Sequence, residues 1–454
     1  MRRKRGFRVS GMVVIAGLAA VLARGAAAET LEEALAKAYM TNPQLLAEQA
    51  ALRATDEDVP QALAGWRPTV TLSGEAGTEH IDSETSRQDR QPTLAEVEVT
   101  QPLYRGGRTT EEVARAESEV LAGRAQLHTI EQTVLLAAVG AYMNVVRDLA
   151  VLELNRNNEV RLRRQLQAAQ DRFRVGEITR TDVAQAEARL SGATAARIQA
   201  EGALVSSRAA YRAVIGDTPG TLSRPTLAVT LPAVETEAQT RAEATSPEVV
   251  RASFLVESAR HSVGVVRGEL LPTLQLRGSL TTERETTGPD SHRDTAGLFA
   301  ELSIPLYQGG GVYSRLRAAK ETLGQRLEEL DDSRRAAIER ATSAWNNLET
   351  ARAAVESFRA EVRANEIALD GVQREALVGS RTVLDVLDAE QELLDSRVNL
   401  VRSERDEVVA RFELKAAVGE LTARDLGLAV ELYDSERNYR EVRDKWFGAE
   451  KPAR

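Results

Sequence analysis

Cysteine is missing from this 454-residue chain, and aromatic residues are scarce. The absence of cysteine excludes a disulfide framework, a thiolate metal site and a lipid attached to a cysteine. Aromatic residues make up 4% of the chain and charged residues 28%, while alanine is abundant and long stretches lack glycine and proline. This balance is typical of long helices rather than of an ordinary globular core.

Long apolar runs are scarce too, and the clearest one lies near the start of the chain. Residues 9–23 are mostly apolar, basic residues precede them at 2–5, and three alanines follow at 26–28. That order is typical of a signal peptide. The run is shorter than the roughly 18 residues that a spanning helix needs. We expect a signal peptide over residues 1–28 and no helical membrane anchor in the chain that follows.

The balance of charge is acidic. The formal charge is -9, and residues 1–28 hold six basic and no acidic residues, so their removal changes it by -6 to -15. Binding to phosphates requires clustered lysine and arginine. The sequence therefore argues against a nucleic-acid partner.

Catalytic patterns are missing as well. The four histidines are scattered without metal-ligand spacing, at His80, His128, His261 and His292. No G-x-S-x-G, H-E-x-x-H or phosphate-loop pattern occurs in the chain. We predict a protein that is not an enzyme.

The chain carries an internal duplication. Matching motifs recur 203 or 204 residues apart. They are TNP at 41 and TSP at 245, QPLY at 101 and IPLY at 304, RVG at 174 and LVG at 377, and IG at 215 and VG at 418. Chance does not keep one offset over such a length. We expect a first structural repeat over residues 29–235, a second over 236–425, and a C-terminal tail over 426–454.

Each repeat reads as helix, strand, loop, strand, very long helix, turn and helix. The strands are predicted at about 68–79, 94–104, 272–284 and 296–307. Their two faces differ; in the third strand, Leu274, Leu276 and Leu280 alternate with Gln275, Arg277 and Ser279. Segments of about 10 alternating residues match tilted strands of a transmembrane barrel. The polar stretches 79–92 and 283–295 are expected to be extracellular loops.

A soluble sandwich is the alternative for such strands, since alternation alone does not distinguish the two. Four strands cannot bury two sheet faces, and an open sheet in lipid would leave its edges without hydrogen bonds. Several copies must therefore close one barrel. Three copies give about 12 strands, which leave a water-filled lumen. Four carboxylates are expected to line it: Glu75, Glu96, Glu98 and Glu301.

The remainder of each repeat is predicted to be a helical hairpin, over residues 108–216 and 311–419. The first helix of each, about 109–173 and 313–377, lacks proline. Roughly 65 residues give a helix of about 100 Å, which only neighbouring helices can stabilise. The returning helices show a coiled-coil pattern, for example at Leu394, Val398 and Val401. An antiparallel coiled-coil scaffold would show the same pattern, but the strands lead directly into these helices through paired glycines.

The fold class predicted from these features is an α+β membrane protein: a trimeric 12-stranded outer-membrane β-barrel, four strands per protomer, continued by an antiparallel coiled-coil tunnel of helices. The tail is less regular. Its apolar residues Leu426, Leu428, Val430 and Leu432 suggest packing around the middle of the tunnel.

Three segments resemble the TolC family of outer-membrane efflux and type I secretion proteins, and the likeness extends over nearly the whole chain after residue 28. GSRTVLDVLDA at 379–389 is similar to the signature of the family's periplasmic entrance, and RVGEITRTDV at 174–183 to its partner in the first repeat. The ending at 432–447 is similar to members that serve type I secretion. The resemblance implies a homotrimeric channel in outer-membrane lipid that needs no cofactor. It also implies a periplasmic adaptor (membrane fusion) protein and an inner-membrane ABC or RND transporter as partners.

The resemblance also implies site residues. Asp385 and Asp388 match the two acidic positions that ring the closed entrance. Three more residues match positions that hold the coiled coils shut: Arg381, Thr181 and Asp182. Gly176 and Gly379 mark the hairpin tips that contact the adaptor. Ala376 departs from the family pattern, because some members have a tyrosine there.

Other roles compete for these residues. Thr382 with Asp385, and Thr179 with Asp182, have the T-x-x-D spacing of a helix cap, which alone could explain both aspartates. Capping does not explain Asp388 or Arg381, whose counterparts in the first repeat are Gln185 and Ile178. For the whole chain, the alternative function is a periplasmic coiled-coil scaffold or adaptor, which would normally have one hairpin and no amphipathic strands. Protein export and small-molecule efflux both remain open.

Overall fold

The computed structural model of the protein describes residues 28–225 and 229–450. The predicted signal peptide lies outside the described residues except for its last position, residue 28. The first repeat contains α1 (Leu31–Thr41), α2 (Pro43–Asp56), α3 (Asp58–Leu63), a 3-10 helix (Ala64–Trp66), β1 (Thr69–Ala76), β2 (Glu79–Ser83), β3 (Ser86–Arg90), β4 (Thr93–Arg105), α4 (Arg108–Arg174) and α5 (Arg180–Ile215). The second contains α6 (Glu235–Thr245), α7 (Pro247–Gly268), β5 (Thr273–Arg284), β6 (His292–Ser303), α8 (Gly311–Leu377) and α9 (Val383–Ala417), and α10 (Arg437–Val442) follows in the tail.

The duplication is visible in side-chain contacts as well as in element order. The long helices α4 and α8 each contain 67 residues. Equivalent ion pairs tie each one to the helix that returns along it: Arg156 to Glu201 at 3.0 Å, and Arg359 to Glu404 at 3.1 Å. The members of the two pairs are 203 residues apart in the chain, the offset that the sequence motifs show.

The four long strands form one antiparallel sheet in the order β1-β4-β5-β6. Its register brings apolar residues of neighbouring strands together, as in the row Leu72, Val97 and Leu280. These side chains are exposed, Leu72 by 77% and Leu280 by 61%. The opposite face is polar, and there Arg277 pairs with Glu98 at 3.5 Å and with Glu301 at 2.8 Å. The single chain therefore leaves an apolar sheet face uncovered.

The strand ends differ from the prediction in three places. The stretch 79–92, expected to be a loop, contains the hairpin β2–β3, held by polar pairs such as Arg90 with Glu79 at 2.9 Å. Because Ile81 is its one apolar residue, apolar alternation gives no signal for it. β1 ends at Ala76, before that hairpin. β6 spans His292–Ser303 rather than 296–307. It ends earlier because Pro305 has no amide hydrogen to donate to a neighbouring strand. It begins earlier because polar residues before 296 also belong to the strand.

Paired glycines turn the chain from strand into helix in both repeats. Gly106 and Gly107 precede α4 with φ angles of 67° and 76°, and Gly309 and Gly310 precede α8 with 64° and 79°. These left-handed conformations favour glycine. At Gly106 there is a second requirement, because a Cβ atom there would lie 2.3 Å from the carbonyl oxygen of Gly268.

The main core lies midway along the helices, where α1, α4, α5 and α9 meet. Of the helices among the described residues, α4 alone is apolar enough to cross a membrane by length and composition. Half of the most apolar stretch of α4 is buried against the rest of the protein. Leu135 and Tyr142 of α4 belong to the main core. That stretch is part of the packing of the helical body.

The tail wraps this core and then runs towards the sheet. Leu426, Leu428 and Val430 pack against the core as predicted, whereas Leu432 is 38% exposed. Further along, the amide of Asn438 donates to the buried carboxylate of Asp56 at 2.7 Å. The tail thereby follows α2 and α4 in the direction of β1.

Candidate functional site

The tips of the two helical hairpins have the same backbone structure. Gly176 and Gly379 have φ angles of 82° and 80°, and each ends a long helix. The amide of Gly176 donates to Phe173 and that of Glu177 to Arg172; Gly379 and Ser380 donate in the same way to Ala376 and Glu375. These paired bonds are the Schellman motif, which requires a left-handed residue. A Cβ atom on either glycine would meet no atom within 4 Å, so both tips have open surface at these points.

The returning helices of the two hairpins, α5 and α9, both begin with a capping box. Thr179 accepts from the amide of Asp182, whose carboxylate accepts from the backbone amide of Thr179 at 2.8 Å. Thr382 and Asp385 make the same two bonds at 3.2 and 2.8 Å. The bond from the backbone amide, followed by that from the threonine hydroxyl, lowers the pKa of each aspartate. The capping role that the T-x-x-D spacing predicts is therefore present at both aspartates.

Asp388 has a different partner. Its carboxylate forms an ion pair with the guanidinium of Arg189 on α5, so the contact joins the first hairpin to the second. The two side chains are 54% and 39% exposed. Sequence reasoning missed Arg189, because 199 residues separate it from Asp388 and no motif marks it.

Arg381 lies at the tip of the second hairpin. Its guanidinium binds Glu375 at 2.9 Å and reaches Asp385 at 4.0 Å, so it connects the two helices of one hairpin. The ion pair with Glu375 raises the pKa of Arg381. Thr181 is exposed on the first turn of α5. Among the described residues of this chain, neither Thr181 nor Asp182 has a hydrogen bond or ion pair to the second hairpin.

A buried carboxylate lies close above these tips, in the seam where α9 packs against α4. Glu390 is 4% exposed, and its Oε1 accepts from Nε2 of Gln165 at 2.7 Å. Its Oε2 and the Oε1 of Gln165 are buried without hydrogen-bond partners. Burial raises the pKa of Glu390, while Arg161 and Gln165 oppose that rise. Sequence reasoning also missed this residue, since its position reads as one more polar residue of a coiled coil.

The apolar part of the same seam is small. Leu162 of α4, Ala193 of α5 and Leu387 of α9 form a separate buried cluster between the hairpins. The hairpins are thus joined near their tips by three small features: this cluster, the pair of Arg189 with Asp388, and the buried Glu390. Within the described ranges, no group of histidines and carboxylates has the arrangement of a metal site.

Comparison with known proteins identifies the family. A family model described as "Outer membrane efflux protein" matches residues 34–217 and 239–420, one segment in each repeat. The chain belongs to this family. It is similar to the outer membrane efflux protein BepC of Brucella suis, with 37% identity over 98% of this chain and 97% of that protein. It is also similar to the outer membrane protein TolC of Vibrio cholerae, with 26% identity over 88% of this chain and 92% of that protein.

The fold has counterparts among solved structures. The crystal structure of the Campylobacter jejuni CmeC outer membrane channel matches with a TM-score of 0.78, over 92% of this chain and 89% of that one, at 15% identity. The predicted fold of two repeats, with long antiparallel helices and a sheet of four strands per chain, is confirmed.

This member of the efflux protein family is an outer membrane channel for efflux or secretion, and it is not an enzyme. Its helices form the periplasmic part. The family resemblance, the location and the transport function predicted from the sequence are therefore confirmed. The alternative of a periplasmic scaffold or adaptor is excluded.

Proposed function

We propose that three copies of the chain close one 12-stranded barrel and one helical tunnel, which together form the exit duct of a tripartite export system. The observation that carries this proposal is the four-stranded sheet. Its outer strands β1 and β6 have no neighbour on one side within the described residues. All of β1 is exposed. Since every pairing in the sheet is antiparallel, β1 and β6 run in opposite directions. The β1 strand of one copy can therefore pair with β6 of the next, and the ring has no open edge.

The two faces of the sheet support the same assembly. The exposed apolar rows face lipid, and the polar face with Arg277, Glu98 and Glu301 lines water. A lone sheet with these faces would be unstable in either solvent, because water would contact the apolar rows and lipid would contact the unpaired edges. Outer-membrane lipid is thus a partner of the barrel.

The hairpin tips are the docking point for a periplasmic adaptor (membrane fusion) protein, which connects the duct to an inner-membrane ABC or RND transporter. Apolar side chains surround the two tip glycines. Val175, Leu377 and Val378 are 72%, 87% and 80% exposed. Exposed apolar groups clustered at the end of a helical rod are typical of a protein-binding surface.

The contacts between the hairpins form the entrance gate. The ion pair of Arg189 with Asp388 holds α5 against α9 in each copy, and the capping boxes hold Asp182 and Asp385 at fixed positions beside it. Three copies place Asp385 and Asp388 around one axis, which makes six carboxylates. Arg381 keeps the second tip rigid through Glu375, and Thr181 remains available for a contact with a neighbouring copy.

The mass of the detergent-purified protein tests the assembly directly. Light scattering with subtraction of the bound detergent should give three chains per particle, and the particles should form pores in a planar bilayer. A protein that stays in solution as a single chain without detergent would contradict the proposal.

A further inference from the structure

The end of the tail lies at the base of the sheet. The carbonyl oxygen of Lys445 accepts from Nη1 of Arg67 at 2.8 Å. The guanidinium carbon of Arg67 also lies 4.8 Å from the centre of the Trp446 ring, in a cation-π contact. Arg67 lies two residues before the start of β1. Residues that are distant in sequence thus place Trp446 beside the first residues of the barrel wall.

The side chains of Trp446 and its neighbour Phe447 are largely exposed. Trp446 is 57% exposed and Phe447 86%. Two adjacent large aromatic side chains in water are unfavourable, since each has a large apolar surface to bury. Their surroundings are nonetheless ordered: Asn438 binds the buried Asp56, and Tyr439 donates to Glu117 at 3.2 Å. The tail is therefore held in a position that presents these two rings.

The same end of the sheet has further exposed aromatic residues. Trp66 precedes β1, Tyr104 is the last residue but one of β4, and Tyr307 follows β6; they are 38%, 43% and 81% exposed. The rest of the sheet differs, because residues 69–100 and 273–303 contain a single phenylalanine, tyrosine or tryptophan, Phe299, at 51% exposure. Tryptophan and tyrosine concentrate where a transmembrane barrel meets the lipid headgroups. The helical side of the sheet has this aromatic belt.

We propose that the C-terminal tail is a lipid anchor, in which Trp446 and Phe447 enter the headgroup region of the phospholipid leaflet on the periplasmic side and extend the aromatic belt. Arg67 supports this position in two ways, since it stacks on the indole and brings a positive charge to the level of the phosphates. The inference rests on the proposed barrel. It gives the tail a function beyond packing on the helices: the tail links the core of the tunnel to the membrane surface.

The chain offers a direct test, because it contains three tryptophans, Trp66, Trp345 and Trp446. Three variants each keep one of them and carry phenylalanine at the other two. Each is reconstituted into phosphatidylcholine vesicles with or without bromine atoms on the acyl chains near the headgroup, and its fluorescence is compared. Bromine quenches only indoles in contact with the lipid. Trp345 is the matched control, since it packs against the core of α6, α8 and α9, far from the strands.

The expected result is equal fractional quenching of the variants that keep Trp446 and Trp66, with no quenching of the one that keeps Trp345. Quenching of Trp66 without Trp446 would overturn the lipid anchor and leave the barrel standing. Absence of quenching in all three would overturn the barrel as well. Phe447→Trp in a protein without other tryptophans provides a second reporter if the Trp446 variant does not assemble.

Discussion

Arg189 and Asp388 join the two hairpins of the chain through one ion pair close to the periplasmic tips. Both side chains are partly exposed, so the pair contributes little to overall stability, about 0–1 kcal/mol. Its position gives it another role. Within the described ranges it is the one hydrogen bond or ion pair between α5 and α9, and movement of these two helices apart must break it. If the proposed gate lies here, the pair should affect the opening of the entrance more than the stability of the fold.

Replacement of the buried Glu390 by glutamine should stabilise the seam between α4 and α9. The new amide group removes a buried charge and can donate to Oε1 of Gln165, which has no partner now. The expected gain is about 1 kcal/mol. Hydrogen exchange of the amides around Leu162 and Leu387 measures it as slower local opening. Glu392→Gln, an exposed change on the same helix, is the control and should have no effect.

The pH dependence of that gain follows from the raised pKa of Glu390. The native seam binds a proton more tightly than the unfolded chain, whose carboxyl has the ordinary pKa of 4.5. Wild-type stability therefore rises as the pH falls through the raised pKa. The stabilisation from protonation of Glu390 is complete below about pH 4.5. The difference between wild type and Glu390→Gln should shrink over the same range. A difference that grows on acidification would contradict the burial of the charged group.

The apolar face of the sheet should not tolerate charge. Leu72→Arg places a guanidinium on the face assigned to lipid and should cost about 2–4 kcal/mol if it lies near the bilayer midplane. Thr71→Arg, one residue earlier on the face assigned to the lumen, should cost far less. Heat stability of the proposed trimer on a gel measures both. Equal losses would show that the two faces do not separate lipid from water.

The glycines between strand and helix should differ in sensitivity. Gly106→Ala combines a left-handed backbone with a Cβ atom 2.3 Å from the carbonyl oxygen of Gly268. Gly310→Ala, in the second repeat, has the same backbone strain and no atom within 4 Å of the new Cβ. We expect about 1–2 kcal/mol from the conformation alone at both sites, and a further loss at Gly106. The yield of folded protein in the outer membrane shows which variant loses more stability. A lower yield of Gly310→Ala than of Gly106→Ala would contradict the prediction.

The hairpin tips should be required for transport and not for assembly. Val378→Asp puts a charge on the exposed apolar surface beside Gly379, where the Val378 side chain is 80% exposed. Export by cells that carry this variant should fail, while the amount of assembled protein in the outer membrane stays normal. Glu177→Gln, a polar change at the other tip, serves as the control. Normal export by the Val378 variant would show that the adaptor does not bind at the tips.

Parts of this structure could be predicted from the sequence because they depend on local chemistry. The T-x-x-D spacing predicts both capping boxes, and the two long helices follow from their lack of proline. The apolar and polar faces of the four long strands follow from alternation. The partners of Asp388 and Glu390 could not be predicted in this way, since Arg189 and Gln165 lie 199 and 225 residues away. A coiled-coil pattern indicates which face of a helix is covered, but not which charged residue lies opposite.

The hairpin β2–β3 was not predicted either, because the contacts that stabilise it leave no pattern in the sequence. Its stability comes from cross-strand pairs of charged residues, such as Arg90 with Glu79, and such pairs leave no apolar alternation. The roles of Thr181 and Asp182 at the entrance depend on neighbouring copies. Those two residues remain predictions of the family resemblance.

Single-channel conductance in a planar bilayer tests the gate most directly. Four proteins are compared: wild type, Arg189→Asp, Asp388→Arg and the variant with both changes. Each single change puts like charges against each other across the two hairpins, so pores should be wider than in wild type, and the double change restores the attraction and should restore the small conductance. Wild-type conductance in both single variants, or a double variant as open as the singles, would contradict the assignment of this ion pair to the entrance of the duct.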